Sequence, residues 1–206
     1  SSTSRGLGDV YKRQFQNNLT EAKNTNVLLY EYFYNGGGLA LADFNGDEKL
    51  DIYISSNMEE NKMYLNQGDF VFEDITKTAK TSGRKGPWKT GVTAVDINSD
   101  GRMDIYVCYS GKIKENGRKN QLFLNMGNNE NGIPIFTEVA RLYGLDSSAY
   151  SNQGYFFDYD RDGDLDMLLL NHNPNSLPVL GVSKTKTLLK KDEPMMGLRL
   201  YEQRDR

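Results

Sequence analysis

The chain has one cysteine, one histidine, one tryptophan and five prolines in 206 residues. Each scarcity excludes something. With Cys108 alone, no intrachain disulfide can form. Cys108 lies in an apolar run without a basic neighbour, so it reads as a buried, inert thiol. With His172 alone, a zinc site built on paired histidines is excluded. No Gly-x-Ser-x-Gly elbow and no phosphate-cradling glycine loop occurs. No apolar stretch approaches the roughly 20 residues that span a bilayer. The formal charge of −3 gives no basic footprint for nucleic acid. A hydrophobic content of 37% is low for one large core.

What the chain has is glycine, tyrosine and phenylalanine, 20, 13 and 9 of them, suited to short strands joined by tight turns. It also has a ninefold acidic pattern written three times. Asp43, Asn45, Asp47 and Asp51 fill positions one, three, five and nine of the first copy. Asp96, Asn98, Asp100 and Asp104 fill them in the second, and Asp158, Asp160, Asp162 and Asp166 in the third. Gathered carboxylates repel one another, and an all-oxygen donor set favours a hard cation, calcium before magnesium. Up to three calcium ions are expected, which would move the formal charge from −3 to +3. The seventh residues, Lys49, Arg102 and Asp164, are expected to offer backbone carbonyls; Lys49 and Arg102 cannot ligate through their side chains.

A helix–loop–helix calcium hand needs a bidentate Glu at position twelve. Ile54, Val107 and Leu169 stand there, and the flanks are strand-like, not amphipathic helices. These are therefore strand-to-strand loops. The third carries four ligand carboxylates against three in the others and should bind most tightly. Position six turns sharply. Gly101 and Gly163 suit it, but Glu48 in the first loop would cost roughly 1–2 kcal/mol if left-handed.

Around each loop a module repeats. Strands are expected at 38–42, 91–95 and 154–157 before the loops, and at 52–54, 105–107 and 167–170 after them. A third strand follows at 61–68 and 120–127, and a fourth at 72–76 and 136–140. Helical turns are expected at 76–80 and 139–143, and a helix at 182–191 with a solvated lysine face. Segments 15–21 and 197–202 read as strands of incomplete units. Residues 1–14 look foreign to the fold and are set aside.

Four-stranded units in tandem imply an all-β, partial β-propeller over residues 15–206, with blades near 37–80, 90–145 and 153–206. Three units are too few for an ordinary ring, so a piece of a longer protein is expected.

The strings GGGLALADFNGDEKLDIYI, TGVTAVDINSDGRMDIYV and GYFFDYDRDGDLDMLLL resemble FG-GAP/VCBS repeats, the blades of integrin α-subunit propellers. The entry Tyr30–Gly38 is similar to that of a bacterial exported, UnbV/ASPIC-like branch. The resemblance implies a calcium-stabilised propeller exported to the periplasm or cell surface. It implies no single activity. A non-catalytic module binding a protein or glycan is the expectation, with no nucleic acid and no membrane span. The alternative is a glycan-processing or other hydrolytic enzyme with its chemistry missing or near His172. Trp88 and the aromatic run Tyr30, Tyr32, Phe33 and Tyr34 are expected to pack between blades.

Overall fold

The computed structural model describes residues 15–173 and 197–203. Among these residues nearly all regular structure is antiparallel β. Sheet one is β1 (Leu39–Ala42), β2 (Asp51–Ile54), β3 (Lys62–Asn66) and β4 (Phe72–Asp74), hydrogen-bonded in chain order. Sheet two repeats this order with β5 (Lys89–Val95), β6 (Asp104–Tyr109), β7 (Gln121–Asn128) and β8 (Pro134–Glu138). Sheet three is β9 (Ser151–Phe157), β10 (Asp166–Asn171) and β11 (Gly197–Tyr201), with β10 in the middle. Two four-residue helices, α1 (Thr76–Ala79) and α2 (Glu115–Arg118), sit outside the sheets. The described residues do not close a ring.

The sheets stack face to face because each strand alternates. In β1, Ala40 and Ala42 turn inward while Leu39 and Leu41 stay exposed. The inward set joins Tyr53, Met63, Leu65, Ile75 and Ala79 against Val92, Ile105, Val107, Tyr109 and Phe136 of sheet two. The other face of sheet two (Val95, Tyr106, Cys108 and Leu122) packs on Met167 and Leu169 of sheet three.

Adjacent sheets come closest at their first strands, and glycine makes this possible. A Cβ at Gly38 would lie 2.4 Å from the Val92 nitrogen, and one at Gly91 2.2 Å from the Asn152 oxygen. Hydroxyls bind across the seams. Ser55 Oγ donates to Thr90 O at 2.6 Å, and Thr90 Oγ1 donates to Ser151 O at 2.7 Å.

A third core, of Tyr30, Phe33 and Trp88, forms away from the two seams. Tyr30 and Phe33 are buried, though in this separate core and not between blades, while Tyr34 is 64% exposed and donates to Glu21 Oε1. Segment 15–21 is not a strand. Its polar run lets the Asn17 side chain do the binding: Oδ1 accepts from Ser56 Oγ and Asn57 N, and Nδ2 donates to Asn57 Oδ1. The expected turn at 76–80 is α1, closed by left-handed Lys80. At 139–143 there is a turn with Tyr143 N donating to Val139 O, not a named helix. α2 was not expected. The expected helix at 182–191 lies outside the described residues.

Candidate metal loops

The three acidic loops join β1 to β2, β5 to β6 and β9 to β10, as the strand-flanked reading requires. Each is folded by its own carboxylates. The first-position Asp accepts backbone N–H bonds from the far side of the turn. Asp43 Oδ2 takes Glu48 N at 2.7 Å, Asp96 Oδ2 takes Gly101 N at 2.8 Å, and Asp158 Oδ2 takes Gly163 N at 3.1 Å. The fifth-position Asp accepts from the seventh nitrogen in all three: Asp47 from Lys49, Asp100 from Arg102, Asp162 from Asp164. These are Asx turns in series, the local bonding that makes Asp and Asn turn formers. Position six is left-handed each time, φ being 65° at Glu48, 82° at Gly101 and 96° at Gly163. Glu48 therefore carries the strain expected of a non-glycine there.

The ninth-position Asp differs from the rest. Asp51, Asp104 and Asp166 are buried to 1% exposure or less. One oxygen accepts from position two of its own loop: Phe44, Ile97 or Tyr159 N, at 3.0, 3.0 and 2.9 Å. The other accepts from the third strand's end: Asn66, Asn125 or Gln203 N, at 2.9, 2.7 and 3.1 Å. This carboxylate ties the loop to the sheet. Burial pushes the Asp104 carboxyl up to about 6 and raises Asp51, against the pull of those N–H bonds; neighbouring acids add to both shifts. A cation in the loop would relieve that cost.

The loops part at position seven. Lys49 Nζ lies 2.9 Å from Asp47 Oδ2, and Arg102 Nη2 lies 2.5 Å from Asp100 Oδ2. The two side chains that cannot ligate thus occupy a ligand carboxylate. The Lys49 bond leads in holding Asp47 below the ordinary carboxylate range. Desolvation raises Asp100, but the Arg102 and Asn98 bonds outweigh it and lower the group. In the third loop position seven is Asp164. Among the described residues no ion pair reaches Asp158, Asp160, Asp162 or Asp166. Oxygens of Asp158, Asp160 and Asp166 all lie within 4.8 Å of one another, and among the described residues this is the one acidic trio so gathered. Desolvation, then the Asp162 charge, raises the Asp160 carboxyl. Asp162 and Asp164 stand outside the trio.

Sequence reasoning missed Asn66 and Asn125. Besides the N–H bond to the ninth Asp, Asn66 Nδ2 donates to Leu50 O and Asn125 Nδ2 to Met103 O. Their Oδ1 atoms accept from Gly68 and Gly127 N. The repeated Asn-x-Gly after the third strand was the available signal. A second repeated pair, Asn61 with Tyr53 and Asn120 with Tyr106, fixes the opposite end of β3 and β7 at 2.8 and 2.9 Å.

His172 is 7% exposed, with Nδ1 2.9 Å from Asn152 Oδ1 and the ring among Tyr30, Tyr32 and Tyr150. Burial lowers its pKa to about 4, so it is neutral at pH 7. Trp88 is 2% exposed between Tyr30 and Phe33, packed in their separate core and not in a seam between sheets.

Residues 43–107 match the FG-GAP-like repeat family. The chain is similar to cartilage acidic protein 1 of Xenopus tropicalis, 30% identical over 166 residues, 78% of this chain and 24% of that protein. The Homo sapiens protein of that name is 30% identical over 150 residues, 71% of this chain and 22% of that protein. The Mus musculus protein is 29% identical over the same length and shares. The chain spans about a quarter of the length of the curated relatives it matches. No helix among the described residues is long and apolar enough to cross a membrane.

Proposed function

We propose that this FG-GAP-like chain is a calcium-held, non-catalytic interaction module that works outside the cell. The observation that carries the reading is the third loop. Three carboxylates from one nine-residue turn converge there, and no ion pair among the described residues reaches them. Oxygens so placed fit a hard divalent ion, and residues 158–166 supply four carboxylates at the first, third, fifth and ninth positions. Asp158, Asp160, Asp162 and Asp166 would hold the ion, with the Asp164 carbonyl and water completing the shell. The first two loops would take calcium more weakly, through Asp43, Asn45, Asp47 and Asp51 and through Asp96, Asn98, Asp100 and Asp104, because Lys49 and Arg102 already compete for the fifth carboxylate. The seventh-position carbonyls of Lys49 and Arg102 remain the backbone ligands in these two.

Calcium here is a staple. It binds the folded loop and not the unfolded chain, so it stabilises by mass action. Rigid strands flank each loop and leave little room for a switch to open. The non-catalytic reading rests on His172, which is buried and neutral, and on Ser110, the hydroxyl 3.3 Å from its Nε2, which is wholly buried and out of reach of a substrate. A protein or glycan ligand on the exposed sheet and loop surfaces follows from the repeat class. The extracellular placement follows from the cartilage relatives and from calcium levels, since extracellular modules bind in the range of roughly 10⁻⁴–10⁻³ M. The test is thermal unfolding with 2 mM-scale calcium against chelator. A rise of about 5 °C or more is expected. An unchanged melting temperature would sink the calcium reading.

A further inference from the structure

The small aromatic core around Trp88 encloses a donor that no described residue uses. Trp88 stands just before β5 and is held from several sides. Its O accepts from Ser110 N at 2.8 Å, and its ring meets Tyr30 edge-on at 5.5 Å and Phe33 at 5.0 Å. Gly111 lets the chain after β6 close over it, since a Cβ there would lie 2.7 Å from Trp88 Cβ. The Tyr30 hydroxyl donates to Ser110 Oγ at 3.2 Å. Trp88 Nε1 is buried, and among the described residues no acceptor reaches it. Such a donor is uncommon, because burial has cost it the hydrogen bond it made to water.

Beside this core lies a cavity of about 30 Å³, walled by Leu29, Tyr30, Phe33, Trp88 and Ile113, with Lys112 also lining it. It has room for about one or two water-sized groups. The loop that brings Lys112 is cationic. Lys112 and Lys114 are exposed, and among the described residues no ion pair reaches them or Arg118. Arg118 is buried and donates Nη1 to Ile113 O, which sets its charge behind that wall. Glu115, the acid of this loop, accepts from Ser148 Oγ.

We infer that this pocket binds the carboxylate of an acidic peptide, an Asp or Glu side chain that meets the Trp88 Nε1–H and the Lys112 charge together. A carboxylate is acceptor-only, so it satisfies the indole donor and is favoured by the lysine. A sugar ring fits worse. The cavity is smaller than such a ring, and Trp88, Tyr30 and Phe33 are buried, so no aromatic face is open for stacking. Leu29, a wall residue, and Leu28 next to it are exposed and suit an apolar neighbour in the peptide. The inference rests on the interaction-module reading and names a ligand for it. Peptide binding and the calcium-dependent melting shift are separate readouts, so either can fail alone.

The chain has one tryptophan, so a single indole N–H resonance reports on the site. The probe is the peptide acetyl-Leu-Glu-Leu-amide, titrated into the full chain and followed by nitrogen–proton correlation NMR. The indole signal should move downfield and saturate. The glutamine counterpart, acetyl-Leu-Gln-Leu-amide, should bind about tenfold more weakly. Lys112→Gln, at an exposed position, should weaken the glutamate peptide about threefold or more while the backbone amide spectrum keeps its dispersion. An indole signal unmoved at about 5 mM peptide overturns the inference. So does equal binding of the two peptides, or an unchanged affinity in Lys112→Gln. Equal saturation by glucuronate also overturns it, since the ligand would then be an acidic sugar.

Discussion

The second and third acidic loops share their anchoring hydrogen bonds and differ in charge, chiefly at positions three and seven. Both fold on the first-position Asp, both turn at a left-handed Gly, and both bury the ninth Asp against two backbone N–H groups. At position seven, the second loop has Arg102, which reaches back to Asp100 and also donates to Asn125 O. The third has Asp164. The second loop is partly neutralised by its own Arg102, while no ion pair among the described residues reaches Asp158, Asp160 or Asp166 in the third. The repeat therefore separates two tasks. The bonds that hold the loop in its sheet do not vary, and the chemistry offered to a cation does.

That separation can be broken by mutation. The largest effect should come from the invariant part. Asp104→Ala strips the acceptor from the buried N–H groups of Ile97 and Asn125 and should cost about 2–4 kcal/mol in urea unfolding with chelator present. Asp162→Ala, at an exposed third-loop position, should cost no more than about 0.5 kcal/mol under the same conditions. If the second loss exceeded the first, the division of labour would be wrong. Next comes the variable part. Arg102→Ala should tighten calcium at the second loop by about threefold to tenfold, and Asp164→Arg should loosen the third by a similar factor, both read by titration calorimetry. Unmoved affinities in both variants would show that position seven does not control the sites. The smallest effect is in the first loop. Glu48→Gly removes a left-handed side chain and should raise stability by about 0.5–1 kcal/mol, a shift of a few degrees in melting temperature.

Much of this was legible in the residues. Strand identities followed from short runs of β-branched, aromatic and aliphatic residues between Asn and Gly turns, because such side chains suit a pleated, packed sheet. The loops were legible because Asp at fixed odd positions has few other uses. The role of Lys49 and Arg102 was not. Sequence chemistry says they cannot ligate, but whether a long cation folds back onto its own loop is a matter of rotamers and local solvation. Segment 15–21 read as a strand of an incomplete unit, yet side-chain amides had a better use for Asn17. The cavity lined by Ile97, Tyr143, Phe156, Leu165 and Tyr201 could not be foreseen, since those walls meet only when two sheets stack.

Cys108 gives the stack a gauge. Its thiol is 1% exposed in the seam between sheets two and three, and burial raises its pKa far above the ordinary thiol value. A reagent in solvent must wait for those sheets to part before it can react. The labelling rate of this one sulfur therefore counts how often that seam breathes. The seam between sheets one and two holds no thiol and stays silent in the same experiment.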